Sequence, residues 1–579
     1  MNNAVPTTAP QQLAQQLVHS VRAQLAAAKT APGSDDYLRA WSDWCLGLAT
    51  QPERQLALAR DAFARGVETW QYAMRAVAGQ ALPHGNTDAR FANELWNHWP
   101  FNLYAHNYAH LKQWSAQALA ASAGVTSENA QRLEFLQRQM LDAASPAHYL
   151  LTNPELLEQT RAESGANLTR GAQYWLEDFA RMIAGGASPG AEKFRVGIEV
   201  AATPGKIVMR NGLIELIQYS PSGTSVHAEP ILITPAWIMK YYVLDLSAHN
   251  SLVKYLVDQG HTVFMVSWKN PTSADRNLGL DDYVQLGLRA ALDAVTAIVP
   301  GQRVHTVGYC IGGTLLSIGA AALAREGDTR VASISLFAAQ TDFSEPGELS
   351  VFISPSQLAA LELYMQRDGV LTSNSMGSAF AMLRGSELIW APAVNQYLRG
   401  QRSSLNDLMA WNADGTRMPC RMHSEYLTRL YLHNDLAAGR FALKGIPVDL
   451  KQLTVPLFVV GTETDHVAPW RSAFKTRALT RSDDYTFVLT SGGHNAGIIS
   501  GPVNPKRRHR TLRWDDAAGP ASPEQYLDCA ELRAGSWWPT WQQWLAERSP
   551  APPMAPPATG NSAAGYPALA DAPGDYLRN

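Results

Sequence analysis

The sequence predicts an α/β protein, with a largely parallel sheet covered by helices on both faces and a helical region ahead of it. Three observations carry this reading. Residues 1–190 place apolar side chains three and four apart and hold no strand signal of note. From about residue 194, short Val/Ile-rich runs alternate with helical stretches. Those runs are almost continuously apolar, as strands buried on both faces must be. At 46% hydrophobic and 17% charged residues, the 579-residue chain has ample material for such a core.

The elements follow in order. Residues 1–190 read as a helical N-terminal domain. QQLAQQLVHSVRAQLAAA and PERQLALARDAFARGVETWQYAMRAVAG carry the periodicity, with breaks at Pro32-Gly33 and Pro83. Residues 191–548 read as the catalytic domain. Its expected strands are EPILITPAW (229–237), HTVFMVSW (261–268), RVHTVGYC (303–310), VASISLFAA (331–339), VPLFVVGTETDHV (455–467) and YTFVLTSGGH (485–494). The stretch from about 343 to 450 breaks the rhythm and is rich in Leu, Met, Trp and Tyr. It reads as a helical cap over the strand C-termini, where such sheets keep their sites. Residues 549–579 form a Pro/Ala-rich tail, and SPAPPMAPPATG within it reads as an extended linker.

Charge and cysteine usage exclude several classes. Forty-eight basic against fifty-one acidic residues leave a formal charge of -3, which argues against a nucleic-acid protein. It also leaves little repulsion between copies. Cys45, Cys310, Cys420 and Cys529 lie far apart, with no CxxC or Cys/His ligand spacing, so no structural zinc site is expected. The N-terminus lacks a basic n-region and an apolar h-region, and no run of about 18 apolar residues could span a bilayer. The expected compartment is the cytosol, where thiols stay reduced. Seventeen tryptophans read chiefly as bulky core anchors.

The chemistry centres on Gly308-Tyr309-Cys310-Ile311-Gly312-Gly313, between the strand RVHTV and the helical run TLLSIGAAALA. This is the strand–turn–helix setting of a nucleophile elbow, GxSxG with Cys in place of Ser, and it predicts an α/β-hydrolase fold. The glycines make room for a tight turn. The helix end favours an anion at Cys310, and the Ile311 amide would face an oxyanion. The elbow predicts an acid and then a histidine, each at the end of a strand. Asp465 follows VPLFVVGTET and His494 follows YTFVLTSGG. His494 can take the thiol proton, and Asp465 can fix the imidazole tautomer or act as a second base. A second oxyanion amide is expected at Ile238, in the loop after EPILIT. His466 reads as support for the Asp465 loop, His305 as a core histidine and Asp281 as a helix N-cap.

Together these residues resemble the polyhydroxyalkanoate synthase family over roughly residues 85–545. DARFANELWNHWPFNLY is similar to its N-terminal signature, and KYYVLDL with SLVKYLVDQGHTVFMVSWKNP to its first core strands. GYCIGG is similar to its cysteine lipase box, and GTETDHVAPW and SGGHNAGII to its Asp and His loops. DLMAWNADGTRMP resembles the segment bearing the Trp beside the active site, here Trp411, and GSWWPTWQQWL the C-terminal signature. The resemblance implies polymerisation of (R)-3-hydroxyacyl-CoA with release of CoA and no metal or redox cofactor. Cys310 would carry the growing polyester as a thioester, His494 would deprotonate it, and Asp465 would assist activation of the incoming hydroxyl. It further implies a single-subunit enzyme nearest the short-chain class and cytoplasmic residence on the surface of polymer granules. The 343–450 insertion is expected to gate the site and to meet a second copy, giving a homodimer when active. SGGHNAG and RMPCRMHSEYL depart from the familiar short-chain pattern and mark a divergent branch. Two other readings remain: an esterase, thioesterase or polyester depolymerase on the same fold, and a non-enzymatic granule scaffold.

Overall fold

The computed structural model describes residues 34–578 apart from 81–82, 121–124, 185, 187–188, 503 and 515–518. The helix expected over 11–28 and the Pro32-Gly33 break lie outside the described residues. Six N-terminal helices follow: α1 (Ser34–Ala49), α2 (Pro52–Val77), α3 (Phe101–Leu119), α4 (Ser127–Ala143), α5 (Pro154–Ala162) and α6 (Ala166–Ala184). Their starts carry the expected stop and start chemistry. Thr126 caps α4 by accepting from the Asn129 amide, and Asn153 caps α5 ahead of Pro154. Phe91, Trp96, Ala105, Tyr108 and Ala147 form a small separate core here.

This helical region grips the 343–450 insertion. Phe135 of α4 is buried with Val351 and Leu383. The Asp36 carboxylate accepts from the Ser354 and Ser356 hydroxyls, at 2.5 and 2.6 Å. Arg399 pairs with Glu155 at 2.9 Å, and Arg402 with Glu177 and Asp178 at 3.0 and 2.9 Å. The insertion is mostly helical, including Pro355–Asp368, Ser373–Leu383 and Cys420–Tyr426.

The sheet strands are β1 (Gly205–Arg210), β2 (Ile214–Tyr219), β3 (Ile231–Thr234), β4 (Val263–Trp268), β5 (Val304–Tyr309), β6 (Val331–Phe337), β7 (Leu457–Thr462), β8 (Tyr485–Thr490), β9 (Arg508–Trp514), β10 (Glu531–Ala534) and β11 (Ala570–Asp571). They form one sheet of eleven in the order β10-β9-β8-β7-β6-β5-β3-β4-β2-β1-β11. The six strands expected from apolar runs are the central block, β4-β3-β5-β6-β7-β8, all parallel. The five strands not anticipated lie outside that block and are all antiparallel. β9 and β10 read RHRTLRW and ELRA, whose exposed charged positions hide them from a search for apolar runs. Trp537, Trp538 and Trp541 are fully buried as core anchors, whereas Trp41, Trp70, Trp99 and Trp175 in the N-terminal region are exposed.

The tail corrects the linker reading. Met554 bridges Val226, Gln218 exchanges hydrogen bonds with the Ala558 carbonyl and the Gly560 amide, and β11 pairs with the edge strand β1. The fully buried Glu215 carboxylate accepts from the Tyr576 amide at 3.0 Å and the Asp575 amide at 3.3 Å. Proline-rich composition prevents a helix but permits an extended strap on an edge with free backbone groups. Glu215→Ala should therefore cost about 2 kcal/mol, since it leaves two tail amides without their acceptor and Arg210 paired with Asp575 alone. Chemical denaturation beside Glu215→Gln checks this. A loss below about 0.5 kcal/mol would mean the strap does not depend on that carboxylate.

Candidate active site

β5 passes into the helix α7 (Ile311–Arg325) through one residue, Cys310, which adopts φ 54° and ψ -130°. Non-glycine residues adopt such a conformation at a cost of order 1–3 kcal/mol. Close packing enforces the turn. A Cβ on Gly312 would lie 2.3 Å from the Thr234 carbonyl oxygen, and one on Gly308 2.3 Å from Gly313 Cα. One on Gly313 would lie 2.5 Å from Ala339 Cβ. The Cys310 amide donates to the Phe337 carbonyl at 2.8 Å, tying the turn to β6.

Asp465 lies three residues past β7, and His494 four past β8. Because β7 and β8 are parallel and in step with β5 and β6, all three loops emerge at one rim. The Asp465 side chain is fully buried and fully engaged. Oδ1 accepts from the Val467 and Ala468 amides at 2.9 and 2.8 Å. Oδ2 accepts from Thr462 Oγ1 at 3.1 Å and lies 2.8 Å from His494 Nδ1. Burial opposes ionisation, but His494 and the donated hydrogen bonds outweigh it and hold Asp465 below the usual carboxylate range. An ionised carboxylate can only accept, so Nδ1 carries the hydrogen and Nε2 remains for Cys310. Burial likewise opposes the imidazolium. The Asp465 charge, then Cys310, more than offset it and raise His494 well above its ordinary value. The trio can therefore move a proton between sulfur and imidazole with the tautomer already set.

The structure thus brings Cys310, His494 and Asp465 together. Ile311 opens α7 directly beside the sulfur-bearing residue, where the first amides of a helix have no acceptor within the helix. Ile238 lies partly buried in the loop after β3. Trp411 is buried and its indole donates to the Lys240 carbonyl at 2.7 Å, so it anchors that same loop. The His466 carbonyl accepts from the Glu348 amide at 2.9 Å, linking the Asp465 loop to the insertion. His305 is a core histidine between Ser333 and Ser549 hydroxyls, at 2.7 and 3.1 Å. Asp281 corrects its reading: Gly279 caps that helix, and the Asp281 carboxylate accepts from the Lys444 amide.

Sequence reasoning missed three tyrosines. Burial, with Cys310 nearby, raises Tyr309 and Tyr426 well above the ordinary phenol value, and Tyr431 is raised in the same way. They stay neutral, and the Tyr309 hydroxyl donates to Asn495 Oδ1. Tyr309 stood inside the quoted motif, and Asn495 beside His494, so adjacency was the available signal. Tyr426 and Tyr431 come from the insertion, and nothing local marks them.

Residues 87–256 match the family model described as Poly-beta-hydroxybutyrate polymerase (PhaC) N-terminus, and residues 229–500 match that of the alpha/beta hydrolase fold. The chain is 40% identical to a poly(3-hydroxyalkanoate) polymerase of Methylorubrum extorquens, over 85% of this chain and 81% of that one. It is 36% identical to a poly(3-hydroxyalkanoate) polymerase subunit of Rhizobium meliloti, over 98% and 93% of the two chains. Identity to the corresponding subunit of Cupriavidus necator is also 36%, over 86% and 85%.

Two predictions follow from the geometry. Gly312→Ala, with its Cβ forced against backbone oxygens, should destabilise the protein by about 2 kcal/mol or more, whereas Gly377→Ala, with open space around it, should not. Denaturation curves of the two variants compare them; equal stabilities would deny the close approach. Asp465→Asn should lower the pH at which His494 titrates, read by imidazole NMR. In linkage terms, Asp465 stabilises the fold above its unfolded value of 3.8, and that stability is lost as pH falls through its depressed folded value. His494 contributes stability that is complete below 6.5 and lost as pH rises through its raised folded value.

Proposed function

The chain belongs to the poly(3-hydroxyalkanoate) polymerase family and is an acyltransferase of polyhydroxyalkanoate synthesis; on that premise we propose that it polymerises (R)-3-hydroxyacyl-CoA by thioester relay through Cys310, His494 and Asp465. The observation that carries this reading is the hydrogen-bonded Asp465–His494 pair at 2.8 Å, set beside a cysteine held at a strained elbow.

In this reading His494 Nε2 takes the proton of Cys310, and sulfur attacks the acyl-CoA carbonyl. The Ile311 amide, with Ile238 as its partner donor, receives the oxyanion. CoA leaves as the thiol with the proton from His494, and the acyl group remains on Cys310. The 3-hydroxyl of the next acyl-CoA then attacks the Cys310 thioester and loses its proton to His494; the Cys310 sulfur leaves and takes that proton back. The lengthened chain, now a CoA thioester, returns to Cys310 by a repeat of the first exchange, which releases CoA as the thiol. The polymer grows by one ester bond per CoA released. A sulfur nucleophile suits this exchange, since entering and leaving groups are both thiolates. All the Asp465 contacts are already made, which favours its acting through His494, by orientation and charge, over direct contact with substrate.

Cys310 is 9% exposed, and Tyr426 and Tyr431 of the 343–450 insertion lie near it, which supports access by movement of that insertion. We assign that insertion a gating role, with Trp411, which it carries, and His466, on the Asp465 loop, as positioning residues. A homodimer during turnover, and residence at the surface of cytoplasmic polymer inclusions, complete the reading. Among the described residues no helix is long and apolar enough to cross a membrane.

Incubation with (R)-3-hydroxybutyryl-CoA, following thiol release and turbidity together, tests the function. Release with turbidity is the expected outcome, while release of free 3-hydroxybutyrate without turbidity would make the protein a thioesterase. Cys310→Ala should keep its fold and lose release entirely. Cys310→Ser should lose most turnover, because a hydroxyl is far less readily ionised than a thiol. Near-normal turnover of either variant would remove the thiolate relay.

A further inference from the structure

The N-terminal helices hold a second cluster of chemistry, far in sequence from the elbow. α2 and α3 run antiparallel. Trp114 Nε1 donates to the Leu58 carbonyl at 3.2 Å, Thr69 Oγ1 lies 3.4 Å from His110 Nδ1, and Tyr72 stacks on His106 with centroids 4.1 Å apart. His106 and His110 are four residues apart on α3, so they share one face. Glu68 of α2 meets them there: His110 Nε2 is 3.8 Å from Glu68 Oε2. The two imidazole centroids are 4.2 Å apart, and one donor atom from each of the three side chains lies within 4.8 Å of the others.

His106 gives the cluster its meaning. It is 8% exposed, and its Nδ1 lies 3.2 Å from the His84 carbonyl oxygen. A carbonyl can only accept, so Nδ1 carries the hydrogen and Nε2 presents a bare lone pair. That Nε2 is buried and has no hydrogen-bond partner. His110 is arranged alike, with Nδ1 against the Thr69 hydroxyl and Nε2 toward Glu68. A ring nitrogen held by an outer partner, with its other nitrogen free, is the arrangement of metal-binding histidines.

We propose that Glu68, His106 and His110 form a binding site for a divalent transition-metal ion, of which Zn2+ is the best match. Two imidazoles and one carboxylate disfavour Ca2+ and Mg2+, which take oxygen ligands. Zinc bonds to nitrogen and oxygen are about 2.0–2.2 Å long, so tetrahedral ligand atoms sit roughly 3.4 Å apart. Closing to that spacing asks for about an ångström of movement. Glu68, whose side chain is 62% exposed, is free to make it, and solvent on its side supplies a fourth ligand. The ion would clamp α2 to α3 and satisfy His106 Nε2. It lies outside the Cys310 chemistry, so polymer synthesis does not require it.

The test uses the full-length protein, stripped with a chelator and titrated with Zn2+, and separately with Co2+ as a spectroscopic probe. We expect one tightly held ion per chain and the visible bands of tetrahedral nitrogen/oxygen coordination, without thiolate charge-transfer absorption. Glu68→Gln and His110→Gln, neither at a buried position, should each weaken binding by about tenfold or more with an unchanged circular dichroism spectrum. Wild-type binding no stronger than that of the Glu68→Gln/His110→Gln double variant would overturn the site. So would cobalt bound wholly through thiolates, for which the exposed Cys45 and Cys529 are available. Either result would leave a buried water as the partner of Nε2.

Discussion

The strained turn at Cys310 is the constraint on which the rest of the molecule depends. A side chain at φ 54° persists only where its surroundings leave no alternative. Here those surroundings are the central strands themselves. Gly312 rests on the end of β3 and the following loop, Gly313 on the segment after β6, and the Cys310 amide on the last residue of β6. The order β3-β5-β6 therefore fixes the turn, and the turn presents the sulfur at the rim where β7 and β8 deliver Asp465 and His494.

The second requirement is electrostatic. A buried carboxylate is expensive unless every lone pair is used. Asp465 meets that condition with two loop amides, one hydroxyl and the imidazole. The same bonds make it an orienting group, with its charge spent on holding one tautomer and favouring the imidazolium. Tyr309 lies against His494, Tyr426 and Tyr431 of the insertion lie near Cys310, and the insertion bonds the Asp465 loop at His466. Low dielectric strengthens the interactions that remain inside.

The two ends of the chain support this centre in different ways. The helical region holds the insertion through α4 and through arginine–carboxylate pairs, and among the described residues it adds no strand to the sheet. The tail closes the far edge of the sheet, where β1 would otherwise show unpaired backbone groups. One element thus restrains the insertion, and the other protects the sheet edge.

The apolar runs alone determined the six parallel strands, because a strand buried on both faces must be apolar throughout. GYCIGG, with its strand and helix, determined the elbow, and the order of Asp465 and His494 at strand ends placed them on its rim. The edge strands and the strap escaped because half-exposed strands and Pro/Ala tracts carry no period of their own; their partners define them. Tertiary structure decided that Asp465 contacts His494, that Asp281 serves Lys444, and that Tyr426 and Tyr431 lie near Cys310. It also decided that Glu68 meets His106 and His110. Each of these joins residues from separate segments, and no local pattern of side chains encodes the distance between two elements until both have packed on a common core.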